Sequence, residues 1–170
     1  WVAADRVELF ANGVMIREQP LDATPAIEKA RVAWTIPRPP HDVHLVAIAT
    51  GPGVTLPCWT IPRPYQPSSA VWKPAVVGCT NPVWVEADGD GKFTSARAYA
   101  QELIRRNGSK PGALLPALAS FDEAVAAQAA GLLHNAGASL RGAEFVRQVE
   151  MAPESARRGF AAFMKTLAGQ

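Results

Sequence analysis

The chain has 170 residues, of which 48% are hydrophobic and 19% charged, with a net charge of +2. That composition supports a packed core and excludes a wholly disordered chain. So balanced a charge leaves no electrostatic footprint for nucleic acid or an anionic membrane surface, and no apolar run is long enough to predict a membrane span.

The opening stretch, WVAADRVELF, lacks a basic n-region, an apolar h-region and a cleavage site, so it reads as the interior of a longer protein entering directly into a strand. RVELFANGVMIRE follows. Val7, Leu9, Val14 and Ile16 alternate with polar positions, and Asn12-Gly13 can take the positive φ angles of a tight turn, which predicts a hairpin. KARVAWTI predicts a third strand. DVHLVAIAT predicts a fourth, apolar throughout and therefore central. PAVVGCT and PVWVEAD predict two more. Twelve of the 15 prolines fall between Pro20 and Pro82. Proline blocks helix interiors, so residues 1–85 should be strands and extended loops. Short strands separated by Pro/Gly turns predict an antiparallel, immunoglobulin-like β-sandwich.

WTIPRP occurs twice in this region, at Trp34–Pro39 and Trp59–Pro64. Trp, Thr and Ile suit a strand, and Pro-x-Pro ends it in an extended corner. The flanks differ, so this is no solenoid repeat. Arg38 and Arg63 lie between prolines, free to pair or to stack on an aromatic ring. With Trp34 and Trp59 they also define a candidate ligand surface of carbohydrate-binding type. Trp84, alternating with Val83 and Val85, predicts that some tryptophan side chains belong to the core. The two cysteines, Cys58 and Cys79, are too few for a disulfide scaffold or a structural zinc site; they read as buried thiols, with one disulfide open to an exported protein.

EADGDGKFTSAR resembles a helix-preceding calcium loop. Glu86, Asp88 and Asp90 take its positions 1, 3 and 5. Gly91 takes the sharp turn, the Lys92 carbonyl position 7 and Thr94 position 9. Carboxylates at every second residue of a tight loop converge their oxygens on a hard cation. Glu86 stands where Asp is expected, however, and Arg97 where a bidentate Glu belongs. Any site must therefore borrow ligands from elsewhere. The competing reading is a metal-free Asp/Gly turn that caps the following helix.

After Asp90 the chain turns to Ala, Leu, Glu and Arg, good helix formers. TSARAYAQELIRRNG predicts a helix capped by Thr94 or Ser95 and stopped at Asn107-Gly108. SFDEAVAAQAAGLLHNAG predicts another, with Ser120 and Glu123 at capping-box spacing. LRGAEFVRQVEM and PESARRGFAAFMKTLAG predict two more. The reading is α+β: a β-sandwich over 1–92 and a tail of about four helices over 93–170. His41 and His44, three residues apart at a strand start, point to opposite faces and read as surface or loop-edge residues. No hydrolase elbow, phosphate loop or zinc-protease motif occurs, so no catalytic residue is assigned.

The strings VELFANG, WTIPRPPHDVHLVAIATGPGV, RPYQPSSAVWKPAVVGCTNPVWVEADGDGKF and FDEAVAAQAAGLL resemble the C-terminal region of secreted bacterial PHP-like metallohydrolases of the CehA/McbA type. The resemblance spans about residues 5–135. It implies an accessory β-sandwich with a helical tail, following an N-terminal catalytic domain of the same polypeptide that holds the catalytic metals. It also implies export to the periplasm or beyond, and it carries over no catalytic residue. The expectation is a non-catalytic module that supports the hydrolase domain or shapes substrate access, with calcium at the acidic loop as a candidate cofactor beside the metal-free turn and no nucleic-acid partner. The alternative is a carbohydrate- or ligand-binding module.

Overall fold

The computed structural model describes residues 3–24, 26–52 and 76–168. The chain is α+β, and its described residues form a five-stranded antiparallel sheet and five α-helices. It divides into two compact units. One comprises the described residues of Trp1–Pro37 and His44–Val83. The other comprises Arg38–Val43 and those of Trp84–Gln170. The short segment before the central strand and the acidic loop thus belong with the helices, whereas a break at 92/93 would have put both with the strands.

The hairpin forms as its sequence predicts. β1 (Arg6–Ala11) pairs with β2 (Val14–Pro20), from Arg6↔Pro20 to Ala11↔Val14, with a bulge between Leu9 and Phe10. Asn12 and Gly13 have φ of 48° and 86°, the two positive angles of a turn that matches strand twist. Asn12 also accepts the His44 N–H on Oδ1 at 3.0 Å, which pins the turn to the next strand. That strand, β3 (Val43–Gly51), pairs antiparallel with β1 and with β4 (Val76–Cys79). The order is β2-β1-β3-β4, and β5 (Val83–Val85) also pairs with β3, so the apolar strand is central as expected. The strand expected at KARVAWTI does not form; residues 29–36 belong to no strand or helix. Two prolines follow at once, and β-branched residues favour an extended backbone whether or not a neighbour supplies hydrogen bonds.

Five helices form where about four were expected. α1 (Ala96–Asn107) is capped by Ser95, whose hydroxyl accepts the Ala98 N–H at 3.2 Å, and it ends at Gly108 with φ 75°. α2 (Pro111–Ala117) is the additional one. Its two prolines look like breakers in the sequence. Pro111 starts the helix, where its missing N–H costs nothing, and Pro116 lies one residue from the end. A 3-10 turn at Leu118–Ser120 leads to α3 (Glu123–Asn135). That turn takes up Ser120, so the expected capping box is displaced and Asp122 caps α3, accepting the Val125 N–H at 3.0 Å. α4 (Ala143–Glu150) and α5 (Glu154–Ala168) complete the unit.

The core lies in the helical unit. Among the described residues, all fourteen fully buried apolar ones belong to it, including Leu114, Leu118, Val125, Leu133 and Phe160. In the strand unit β1 and β3 are mostly half-buried, and Met15 and Val77 are exposed. Trp84 is 58% exposed, its ring set edge-on to Phe93 at 4.6 Å, so it is not one of the expected core tryptophans; Trp1, Trp59 and Trp72 lie outside the described residues. Cys79, expected to be buried, is exposed. Cys58 lies outside the described residues. No described helix is long and apolar enough to cross a membrane.

Candidate metal centre

The acidic loop folds around a carboxylate that is not its own. Asp42 comes from the short segment ahead of β3 and is 1% exposed. Its Oδ1 accepts the N–H of Ala87 at 2.7 Å and of Asp88 at 3.4 Å, and its Oδ2 accepts the N–H of Thr94 at 2.7 Å. One side chain thereby ties the entry of the loop to its exit. Arg38 completes the clamp from the same segment: its guanidinium donates to the Ala87 carbonyl, at 3.0 Å from Nε. Ala87 is held through both of its backbone polar groups, so the first WTIPRP arginine binds a carbonyl and not an aromatic face.

Within the loop each acid closes a local turn. Glu86 accepts from the Gly89 N–H, Asp88 Oδ1 from Asp90 N–H at 3.1 Å, and Asp90 Oδ1 from Lys92 N–H at 2.7 Å. Gly89 and Gly91 have φ of 90° and 77°, angles that a side chain would strain.

Tyr99, on the first turns of α1, joins the loop to Asp42. Its hydroxyl donates to Asp88 Oδ2 at 2.6 Å and accepts the Asp42 N–H at 3.3 Å. Burial, the bond to Asp88 and the nearby carboxylates push the phenol up to about 12, with the Asp42 N–H pulling weakly the other way. His41 is buried at 3% exposure, which corrects the expectation of a surface histidine. Its Nδ1 lies 3.0 Å from the Asp42 carbonyl and its Nε2 receives the Asp122 N–H at 3.1 Å. The tautomer with the proton on Nδ1 satisfies both bonds. The ring stacks on Phe121 at 5.4 Å and meets Tyr99 edge-on at 5.6 Å. The segment carrying Asp42 is thus anchored to α1 and to the start of α3.

Among the described residues, Asp42, Glu86 and Asp88 form a group that can hold a metal ion, their ligand oxygens all within 4.8 Å of one another. Opposite ligands of one hard cation lie about 5 Å apart, so a single ion can bridge that spread. A carboxylate oxygen has two lone pairs, and each acid keeps capacity after its loop bonds are made. Asp42 Oδ2, Glu86 Oε2 and Asp88 Oδ2 each retain at least one pair. Three carboxylates fall short of six to eight ligands; carbonyls and water would supply the rest.

The predicted residues are therefore divided. Glu86 and Asp88 join the group. Asp90 and Lys92 close a turn, and the Thr94 N–H serves Asp42. Trp34 is half-buried in the irregular stretch of the strand unit, and Arg63 and Trp59 lie outside the described residues. Neither His41 nor His44 joins the group. The residue that sequence reasoning missed is Asp42. The available signal was the loop's own shortage: Arg97 at the twelfth position requires a ligand from elsewhere, whereas Asp42 stands in the sequence only as the first residue of a predicted strand.

No protein-family model, curated protein or solved structure matches this chain.

The network makes stability depend on pH. Burial raises the pKa of Asp42, but the N–H groups of Ala87, Thr94 and Asp88 with the Tyr99 hydroxyl outweigh it and hold the carboxyl below its ordinary value. An acid with a depressed folded pKa contributes stability above its unfolded value, about 3.9, and loses it as pH falls through the lower folded value. As pH falls below about 4 the wild type should progressively lose its stability advantage over Asp42→Asn. Urea midpoints of both proteins across that range measure it. An advantage that grows as the pH is lowered would contradict the assignment.

Proposed function

We propose that the chain is a non-catalytic accessory region of an exported, metal-dependent PHP-like hydrolase, following an N-terminal catalytic domain on the same polypeptide. One observation carries this reading. Beyond Val43 the apolar side chains of β1 and β3 are only half-buried, Met15 and Val77 are exposed, and among the described residues every fully buried apolar one lies in the helical unit. Apolar surface of this kind marks an interaction face. In this reading the sheet is one layer of an immunoglobulin-like sandwich and supports the hydrolase domain or its substrate access.

The acidic centre serves this module as a structural calcium site. Hard oxygen ligands, a tight Asp/Gly loop and oxygens spread over several ångströms suit calcium better than magnesium, which demands shorter and stricter geometry. Calcium would cross-link the Asp42 segment to the loop ahead of α1. Calorimetric titration of metal-stripped protein should give one site, with a raised melting temperature in calcium, and both should vanish in Asp88→Ala. Heat and melting curves indifferent to calcium would leave the loop a capped turn. The accessory role is tested by assaying the chain on bis(p-nitrophenyl) phosphate with manganese or zinc: no turnover is expected. Turnover that disappears in His41→Ala or His44→Ala would overturn it.

The exposed Trp84 ring against Phe93 favours carbohydrate binding as a second reading. Its test is the change in tryptophan fluorescence on oligosaccharide titration, compared with Trp84→Ala.

A further inference from the structure

We propose that the groove between α4 and α5 binds a free single-chain amphiphile with an apolar tail and a carboxylate head, a medium-chain fatty acid in type. α4 is amphipathic yet buries none of its residues fully. Its Phe145, Val146 and Val149 line, with Leu140, Phe160 and Met164, an open groove of about 330 Å³. A second hollow of about 420 Å³ adjoins it, since the two share Leu140, Arg141 and Met164. Apolar clefts of about 300–1,000 Å³ with a few polar groups suit small molecules. A stable protein partner needs about 800 Å² on each side, and an eight-residue helix about 12 Å long offers little toward that.

The polar groups on the wall decide the charge of the ligand. Arg141 and Arg157 both line the groove. Neither guanidinium makes an ion pair or hydrogen bond among the described residues, whereas Arg105, Arg106, Arg147 and Arg158 of the same unit are all paired with glutamates. Glu150 is the acid on the wall, so two cations face one anion. An apolar trough with an unpaired guanidinium where its two hollows meet complements a tail carrying one negative head. A guanidinium binds a carboxylate through two parallel hydrogen bonds, which a neutral or cationic head cannot accept in that way.

The test is calorimetric titration of the full chain with decanoate below its micelle concentration, with decyltrimethylammonium as the charge-reversed control. Methyl NMR of Val146, Val149 and Met164 locates the site. One decanoate site is expected, with shifts confined to those methyls and weaker binding of the cation. The double variant Arg141→Ala/Arg157→Ala, both exposed positions, should weaken decanoate by at least about tenfold with an unchanged melt, the factor that one charge-assisted hydrogen bond is worth. Ala161→Phe fills the groove from an exposed helix position and should abolish binding. The proposal is overturned by absent decanoate binding, by equal affinity for the cation or by affinity indifferent to the arginines. Binding only to phosphatidylglycerol vesicles, which would make the arginines a membrane contact, also overturns it, as does a dimer that covers the groove in sedimentation.

Discussion

Gly159→Ala is expected to destabilise the protein by about 1–3 kcal/mol, although alanine is the better helix former. Gly159 lies inside α5, where α5 crosses α3. A Cβ there would come within 2.4 Å of the Glu123 carbonyl oxygen, 2.5 Å of the Ala126 Cβ and 2.7 Å of the Ala127 nitrogen. Two of these atoms are backbone, so no side chain can swing aside and the helices must part. Parting them loosens Phe160 and Val125, both buried at the same crossing. The helix-propensity gain of about 0.5–1 kcal/mol is too small to compensate. Gly112 in α2 is the internal control: nothing lies closer than 4.0 Å to its added Cβ, so Gly112→Ala should gain that propensity term. Urea unfolding followed by helical circular dichroism compares the two. Equal stability of both variants would mean that α3 and α5 do not meet as closely as the crossing requires.

The second large effect is at Asp42. Asp42→Ala removes the acceptor for the N–H groups of Ala87 and Thr94, both at 2.7 Å. Each buried donor left without a partner costs about 1–3 kcal/mol, so a total loss of about 2–4 kcal/mol is expected, less than additive because the loop can relax. Asp42→Asn should fall between, since its amide oxygen serves one of the two donors and its NH2 confronts the other. Asp88→Asn separates stability from ion binding. Asp88 is exposed and bonded mainly to its own loop and Tyr99, so its variant should lose calcium affinity at little cost to the metal-free fold. Thermal melts of the three variants in chelator and in calcium distinguish these outcomes. An Asp42→Ala protein that melts with the wild type in chelator would remove Asp42 from its place at the centre of the loop.

Local chemistry was legible in the chain itself. Asn12-Gly13 specifies a hairpin because two consecutive residues tolerate positive φ, and the alternation on either side sets which residues pair. Ser95 and Gly108 mark the ends of α1 because each satisfies a backbone group that the helix leaves unpaired. The spacing Asp88-Gly89-Asp90-Gly91 predicts a tight acidic turn for the same reason. What tertiary structure alone decided depends on groups far apart in sequence. KARVAWTI has the residues of a strand and stays unpaired, since a strand needs a neighbour's edge that its own composition does not supply. The prolines of α2 are harmless only because of where the helix starts and stops. The need for glycine at 159 appears only when α3 lies across it. Asp42 sits 46 residues before Asp88, and nothing in its neighbours His41 and Val43 announces that the N–H groups of Ala87 and Thr94 will converge on it. Periodicity and caps act over a few residues. A buried carboxylate is placed by whichever distant backbone donors the fold brings to it, and only the folded chain holds that information.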